Sequence, residues 1–362
     1  MKFDFALAFL AQTLILVGVI AYHNEDYSTV AYTWILPISY VVGKVAIGTD
    51  IKAANNRIVT IIYIFTLALF IAALLDFYSF FKYSDLYGYP LTEWWPGFMT
   101  GEMQNRCGMS LGMFFINTSL WYAILKRKKH PVIMWLFIIG FAISQYWGYK
   151  VQSRTITLVP VLSALVMIML VLYDKRKSIP KSFWVIGILS IVSITGFILL
   201  AFFNNWFGLR TIYNNSQWGV ELLQNERFVM DWNGFKLMLQ NPTGKFTPPD
   251  NEWYNPHNTF LQYGRVNGIA VFILLELFRL ITLKDAVVMA TKNNKYSDIK
   301  YLLIPAFVCL NFNFSMDPNG YVQRYLWMMV LLVNGIIRGW NQIENNREAV
   351  NEKGETLWEK LM

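Results

Sequence analysis

Residues 58–80, IVTIIYIFTLALFIAALLDFYSF, decide the architecture of this chain. Asp76 is the only residue in the run with a formal charge. A helix rises about 1.5 Å per residue, so a run of this length crosses a hydrocarbon core of about 30 Å. Lipid offers no partner to backbone N–H and C=O groups, which leaves helices or closed barrels as spanning structures. A barrel strand alternates apolar and polar residues, and this run does not.

Nine further runs of similar character flank it: 5–22, 29–48, 109–125, 131–148, 156–173, 183–203, 259–282, 300–315 and 322–338. The chain is 55% hydrophobic and only 15% charged, against about 25% charged in soluble domains. The expected fold is therefore an all-α, polytopic transmembrane bundle of about ten spans, with residues 1–342 forming the membrane domain and 343–362 a polar cytoplasmic tail. The first run does not read as a cleavable signal. Lys2 is the only basic residue before it, and the acidic turn His23-Asn24-Glu25-Asp26 follows it without a small-residue cleavage site. No internal repeat is evident, which weighs against a transporter assembled from inverted halves.

A net charge of +8 raises the question of nucleic acid, and the distribution of that charge answers it. With the N-terminus in the cytoplasm, 21 of the 31 basic residues fall in inner segments, including the run Lys126-Arg127-Lys128-Lys129. That is the positive-inside pattern of a membrane protein, and it sets both termini in the cytoplasm. The two cysteines, Cys107 and Cys309, lie far apart in the chain, one near an outer boundary and one within a span. They suggest neither a disulfide nor a metal site.

Two outer segments are long, 76–108 and 204–258, and loops of that length usually carry function. The second contains Trp218, Leu222, Phe228, Trp232, Phe235 and Leu239. Their three-to-four spacing predicts an amphipathic helix over 216–240, capped by Ser216 and stopped by Pro242, lying on the outer face of the membrane.

Three features on this outer side carry chemistry. Ser153 reads as an N-cap that places Arg154 in the first turn of the sixth span. A cation there opposes the helix dipole by roughly 0.3–1 kcal/mol unless an anion neutralises it; the plain alternative is an arginine reaching the headgroups. Arg227 lies within the amphipathic helix, where pairing with Glu226, Glu221 or Asp231 is the plain alternative. Asn255-Pro256-His257-Asn258 opens the eighth span, with Asn255 as expected cap and Pro256 as first helical residue. His257 then falls in the first turn, where the positive end of the dipole disfavours imidazolium, so a neutral, proton-accepting ring is expected. The plain alternative is a histidine in an interfacial loop.

Together these features resemble the bacterial O-antigen ligase and O-antigen polymerase superfamily. The resemblance rests on Ser153-Arg154 followed by Leu158-Val159-Pro160; on Glu226-Arg227-Phe228-Val229-Met230-Asp231-Trp232 leading to Asn241-Pro242-Thr243-Gly244; and on His257-Asn258 with Leu261, leading to Gly268. It covers residues 108–338. The family often carries a second glycine where this chain has Val271. The resemblance implies an inverting, metal-independent glycosyltransferase of the bacterial inner membrane, with its active site facing the periplasm and no cofactor. Its donor would be an undecaprenyl-pyrophosphate-linked glycan. Arg154 and Arg227, with Arg210 as a weaker third, would hold the pyrophosphate, His257 would deprotonate the acceptor hydroxyl, and Asn258 would orient it.

A ligase passes the glycan to lipid A–core; a polymerase passes it to a second lipid-linked glycan. The stretch from Ala123-Ile124-Leu125 through Lys129-His130-Pro131 to Gln152-Ser153-Arg154 resembles enterobacterial ligases and favours the first. A metal-dependent reading would rest on Asp250 and Glu252, which no second acidic motif joins. A transporter of lipid-linked sugars would need charged residues or broken helices at mid-membrane, whereas the unusual groups here gather at one face. Glu276 and Arg279, near the inner end of the eighth span, are expected to pair with each other or to snorkel to the headgroups.

Overall fold

The structure is a computed structural model. It describes residues 4–87, 94–96, 98, 103–105, 113–150, 154–180, 226–244, 256–293, 297–316 and 325–359, together with scattered residues between 182 and 205. The described chain is helical apart from one small ribbon. In order come α1 (Phe5–His23), α2 (Tyr27–Val45), α3 (Ile51–Tyr87), strands β1 (Trp94–Pro96) and β2 (Met103–Asn105), α4 (Phe114–Leu125), α5 (Pro131–Lys150) and α6 (Arg154–Lys175). Then follow α7 (Glu226–Gln240), α8 (Thr259–Asn267), α9 (Ile269–Thr291), a 3₁₀ turn (Ser297–Ile299), α10 (Lys300–Met316) and α11 (Tyr325–Glu359).

Among the described residues, five helices are long and apolar enough to cross a membrane: α1, α3, α5, α6, and α10 with the 3₁₀ turn before it. Large apolar side chains such as Trp34, Ile64, Val132 and Leu136 point outward. An aqueous surface rarely tolerates so continuous an apolar cover, and lipid does. The protein is thus a helical membrane protein by its long apolar helices. The run expected over 183–203 is helical where it is described.

Local chemistry explains the helix ends and contacts. Asp4 caps α1, its carboxylate accepting the Leu7 N–H at 3.3 Å, and Asp26 caps α2 by accepting from Thr29 at 3.1 Å. Glycines let α2 and α11 touch backbone to backbone. A Cβ on Gly335 would stand 2.1 Å from the Tyr40 carbonyl oxygen, and one on Gly339 2.4 Å from that of Lys44. In α6, Pro160 has no N–H to give the Ile156 carbonyl one turn back. The Gln145 amide supplies the missing donor at 3.2 Å, and also reaches Asn117 at 3.3 Å.

Ionic contacts gather at one end of the bundle. Arg338 pairs with Asp285 at 2.8 Å, Lys44 pairs with Asp4, and the fully buried Lys300 pairs with Asp174 at 2.7 Å. Lys126 meets Asp298 at the same end. The core runs along the bundle above them, with Phe260, Phe314 and Trp327 closing its opposite part; Trp327 meets Phe314 at 5.0 Å and Phe260 at 5.7 Å between ring centroids.

Three expectations change. Residues 259–282 do not form one span. Gly268, at φ +95°, breaks the run, and α8 folds back along α9: a Cβ on Gly264 would stand 2.7 Å from the Phe272 Cβ, and Arg279 lies over the Phe260 ring. The long outer segment at 76–108 is not all loop, since α3 continues to Tyr87 and the β1–β2 ribbon follows it. The last helix does not stop near 338. Its polar part is rich in helix-forming residues, and an Arg347–Glu344 pair one turn apart lies beyond the expected boundary at 342.

Candidate functional site

The site is built where α7 lies against the head of α8. α7 ends at Gln240, and Pro242 follows, as the sequence predicts. The Pro242 carbonyl accepts the Ile269 N–H at 2.9 Å, which ties the end of α7 to the α8–α9 turn. Gly244, at φ +90°, is pressed against the backbone of Val266 and Asn267. This close approach fixes how α7 lies on the hairpin. Its inner face carries Asp231, Gly234 and Met238 one turn apart: the Met238 sulfur meets Gly264, and the Pro256 ring occupies the space a side chain at 234 would need, 3.0 Å from such a Cβ.

The outer face of α7 is apolar. Phe228, Trp232 and Leu239 are exposed, Trp232 stacks on Phe235, and the Lys236 ammonium lies over the Trp232 ring at 5.4 Å. The expected amphipathic helix is therefore present over 226–240, with its apolar stripe turned away from the protein. Ser216, Trp218 and Leu222 lie outside the described residues, as do Arg210, Asp250, Glu252, Cys107, Ser153 and Asn255.

At the head of α8 the expected register is corrected. The cap is Asn258, whose side-chain oxygen accepts from the N–H groups of Phe260 at 3.0 Å and Leu261 at 3.1 Å. The helix begins at Thr259, so Pro256 is not its first residue and His257 stands just before the cap. Pro256 serves instead as the wedge against Gly234. Asn258 has a structural task in addition to any contact with a ligand.

His257 is held from α7. Its backbone N–H donates to the carboxylate of Asp231, and its imidazole and the Arg227 guanidinium both lie within electrostatic reach of that carboxylate. Burial pushes the Asp231 carboxyl above the usual carboxylate range, against the pull of that N–H and the two nearby groups. Arg227 reaches across to the last residue of α10, donating to the Met316 carbonyl oxygen at 3.4 Å.

Arg154 is the first residue of α6, as expected; its side chain lies outside the described residues. Its backbone position follows from how α6 packs on α10. The two run antiparallel, with Asp174 beside Lys300 at one end and the Cys309 thiol donating to the Val159 carbonyl farther along. From the Val159–Cys309 contact, Arg154 lies five residues back along α6 and Met316 seven residues on along α10, so both stand toward the same end of this helix pair. Of the three candidate residues, Arg227 is the one in contact with the end of α10, and Asp231 links it to His257.

No family model, curated protein or solved structure matches this chain.

Two features escaped the sequence. In the sequence Asp231 reads only as a possible ion-pair partner of Arg227, and its contact with His257 joins distant segments. Glu276 and Arg279 do pair, at 3.0 Å, but the hairpin moves them. Arg279 stacks 4.3 Å from the centre of the Phe260 ring, beside the head of α8. By helix rise this level lies about 12–16 Å along α9 from the Gly268 turn. A reading of Gly268 as a breaker would have found this.

Proposed function

We propose that this protein is an inverting membrane glycosyltransferase of the O-antigen ligase type, with about ten spans, cytoplasmic termini and its site on the periplasmic face. The observation that carries the reading is that Asp231 accepts the His257 N–H and lies within electrostatic reach of Arg227, one turn before it on α7, while Arg227 reaches the end of α10. A cationic fork and a base gathered around one carboxylate suit transfer from a pyrophosphate leaving group. Guanidinium forks match phosphate oxygens and keep their charge. Basic residues at the opposite end of the bundle support a cytoplasmic orientation for that end. The outward apolar stripe of α7 suits a helix resting in the membrane interface, beside a lipid-borne donor.

In the proposed reaction His257 takes the proton of an acceptor hydroxyl. The acceptor oxygen bonds to the anomeric carbon from the face opposite the leaving group. The bond from that carbon to the pyrophosphate oxygen breaks, its electron pair leaving with undecaprenyl pyrophosphate, whose charge the arginines balance. The test is transfer by the purified protein in nanodiscs from an undecaprenyl-pyrophosphate glycan, with lipid A–core and a second lipid-linked glycan as parallel acceptors and EDTA in one arm. Consumption of lipid A–core supports the ligase. Consumption of the lipid-linked glycan alone makes the protein a polymerase. Activity lost in EDTA turns attention to Asp250 and Glu252, and no transfer to either acceptor contradicts the proposal.

A further inference from the structure

Asp231 is an expensive residue for its place. Its Oδ1 is buried and has no hydrogen-bond partner among the described residues, while the carboxylate takes the His257 N–H. Burying an acceptor without a partner is unfavourable, and more so when the group is charged. Packing alone does not explain that expense, since an apolar residue of similar size would avoid it. Natural chains keep such local violations mostly at functional sites.

The surroundings show what the carboxylate is placed to do. Gly234, one turn on, is moulded to Pro256, so the α7 face from 231 to 234 grips the segment that presents His257. Arg227 lies one turn before Asp231, within electrostatic reach of the carboxylate, as is the His257 ring. A negative charge so placed does two things at once. It fixes the histidine through its backbone, and it stabilises the positive charge that the ring gains on accepting a proton.

We propose that Asp231 is the positioning residue of His257, fixing the imidazole relative to Arg227 and stabilising it once protonated. This rests on the glycosyltransferase reading above, and its test separates the two. Asp231→Asn keeps an oxygen for the His257 N–H and removes the charge; Asp231→Ala removes both. Full-length variants in nanodiscs are assayed for transfer with an undecaprenyl-pyrophosphate glycan donor, each beside His257→Ala, with thermal unfolding measured in parallel. The expected result is a kcat per folded molecule lower by about 10–100-fold in Asp231→Asn, the loss of one charge-assisted contact. A larger loss is expected in Asp231→Ala, with donor KM within about twofold of wild type in Asp231→Asn because the arginines remain. A purely structural residue would instead lower the unfolding temperature and leave kcat per folded molecule unchanged. Wild-type kcat in both Asp231 variants beside an inactive His257→Ala overturns this inference and leaves the enzyme reading standing. Wild-type transfer by His257→Ala removes the reading on which it rests.

Discussion

Asp231 accepts the backbone N–H of His257, so the helix that carries Arg227 also holds the residue proposed to move the proton. Neither residue is close to the other in the chain. Helix α7 brings them together because its glycine at 234 admits Pro256, and because Pro242 and Gly244 lock its end to the α8–α9 turn. The site is therefore a property of the hairpin as much as of its side chains.

Arginine forks and lysine points differ at a phosphate. Arg227→Lys and Arg154→Lys keep the charge and lose bidentate binding. Each substitution is expected to lose one charge-assisted hydrogen bond, about 1.5–3 kcal/mol, or roughly 10–100-fold in transfer rate, with normal membrane insertion. The measurement is initial transfer rate at matched protein abundance. Wild-type rates in both variants would return these residues to headgroup contacts.

Topology has a direct test at two exposed asparagines. Asn24 lies at the turn between α1 and α2, and Asn293 follows α9 near the opposite, charged end of the bundle. In a chain with Cys107 and Cys309 replaced by alanine, a membrane-impermeant thiol reagent applied from the periplasm is expected to label Asn24→Cys and spare Asn293→Cys. The reverse pattern would invert the orientation and take the site to the wrong side of the membrane.

Pro160 and Gln145 form a compensating pair. Gln145→Leu leaves the Ile156 carbonyl without the amide that replaces the missing helix donor, and is expected to destabilise the protein by about 1–3 kcal/mol. Pro160→Ala restores the helix N–H. In the double variant the cost of Gln145→Leu should shrink, a coupling visible in a thermal-unfolding double-mutant cycle. Additive effects would mean that the amide does something else.

Gly268→Ala probes the hairpin. At φ +95° a side chain is strained by about 1–3 kcal/mol, and its Cβ would stand 2.6 Å from the Pro242 oxygen. A lower unfolding temperature is expected, together with a loss of transfer per folded molecule as α7 and α8 separate. Unchanged unfolding and transfer would show that the close approach is not needed.

The all-helical membrane character and the five long apolar helices are legible because membrane crossing is written locally. The run at 58–80 needs nothing but length and apolarity, and Pro242 is a local stop signal two residues past the end of α7. The hairpin was not legible in the same way, because a single glycine inside an apolar run is usually tolerated in a helix. At Gly268 the turn packs closely on the backbone of Pro242 and Thr243, residues outside the run, and the Ile269 N–H donates to the Pro242 carbonyl. The sequence also suggests a cap at Asn255, whereas the cap is Asn258 and Pro256 packs against Gly234. Gly335 and Gly339, four apart, did carry a readable signal of close helix packing. Asp231 carried no such signal, since its partner is a backbone N–H from another segment.

The most direct test of the central proposal is the transfer rate of His257→Gln. Glutamine keeps hydrogen-bonding capacity at this position, and the Asp231 contact is made by the backbone, so the variant should fold and bind the lipid-linked donor as the wild type does. It cannot accept a full proton. The predicted result is a rate lower by about 10²–10⁴-fold, the usual contribution of a general base, with donor binding and abundance unchanged. Transfer at the wild-type rate by His257→Gln would contradict proton abstraction by this residue.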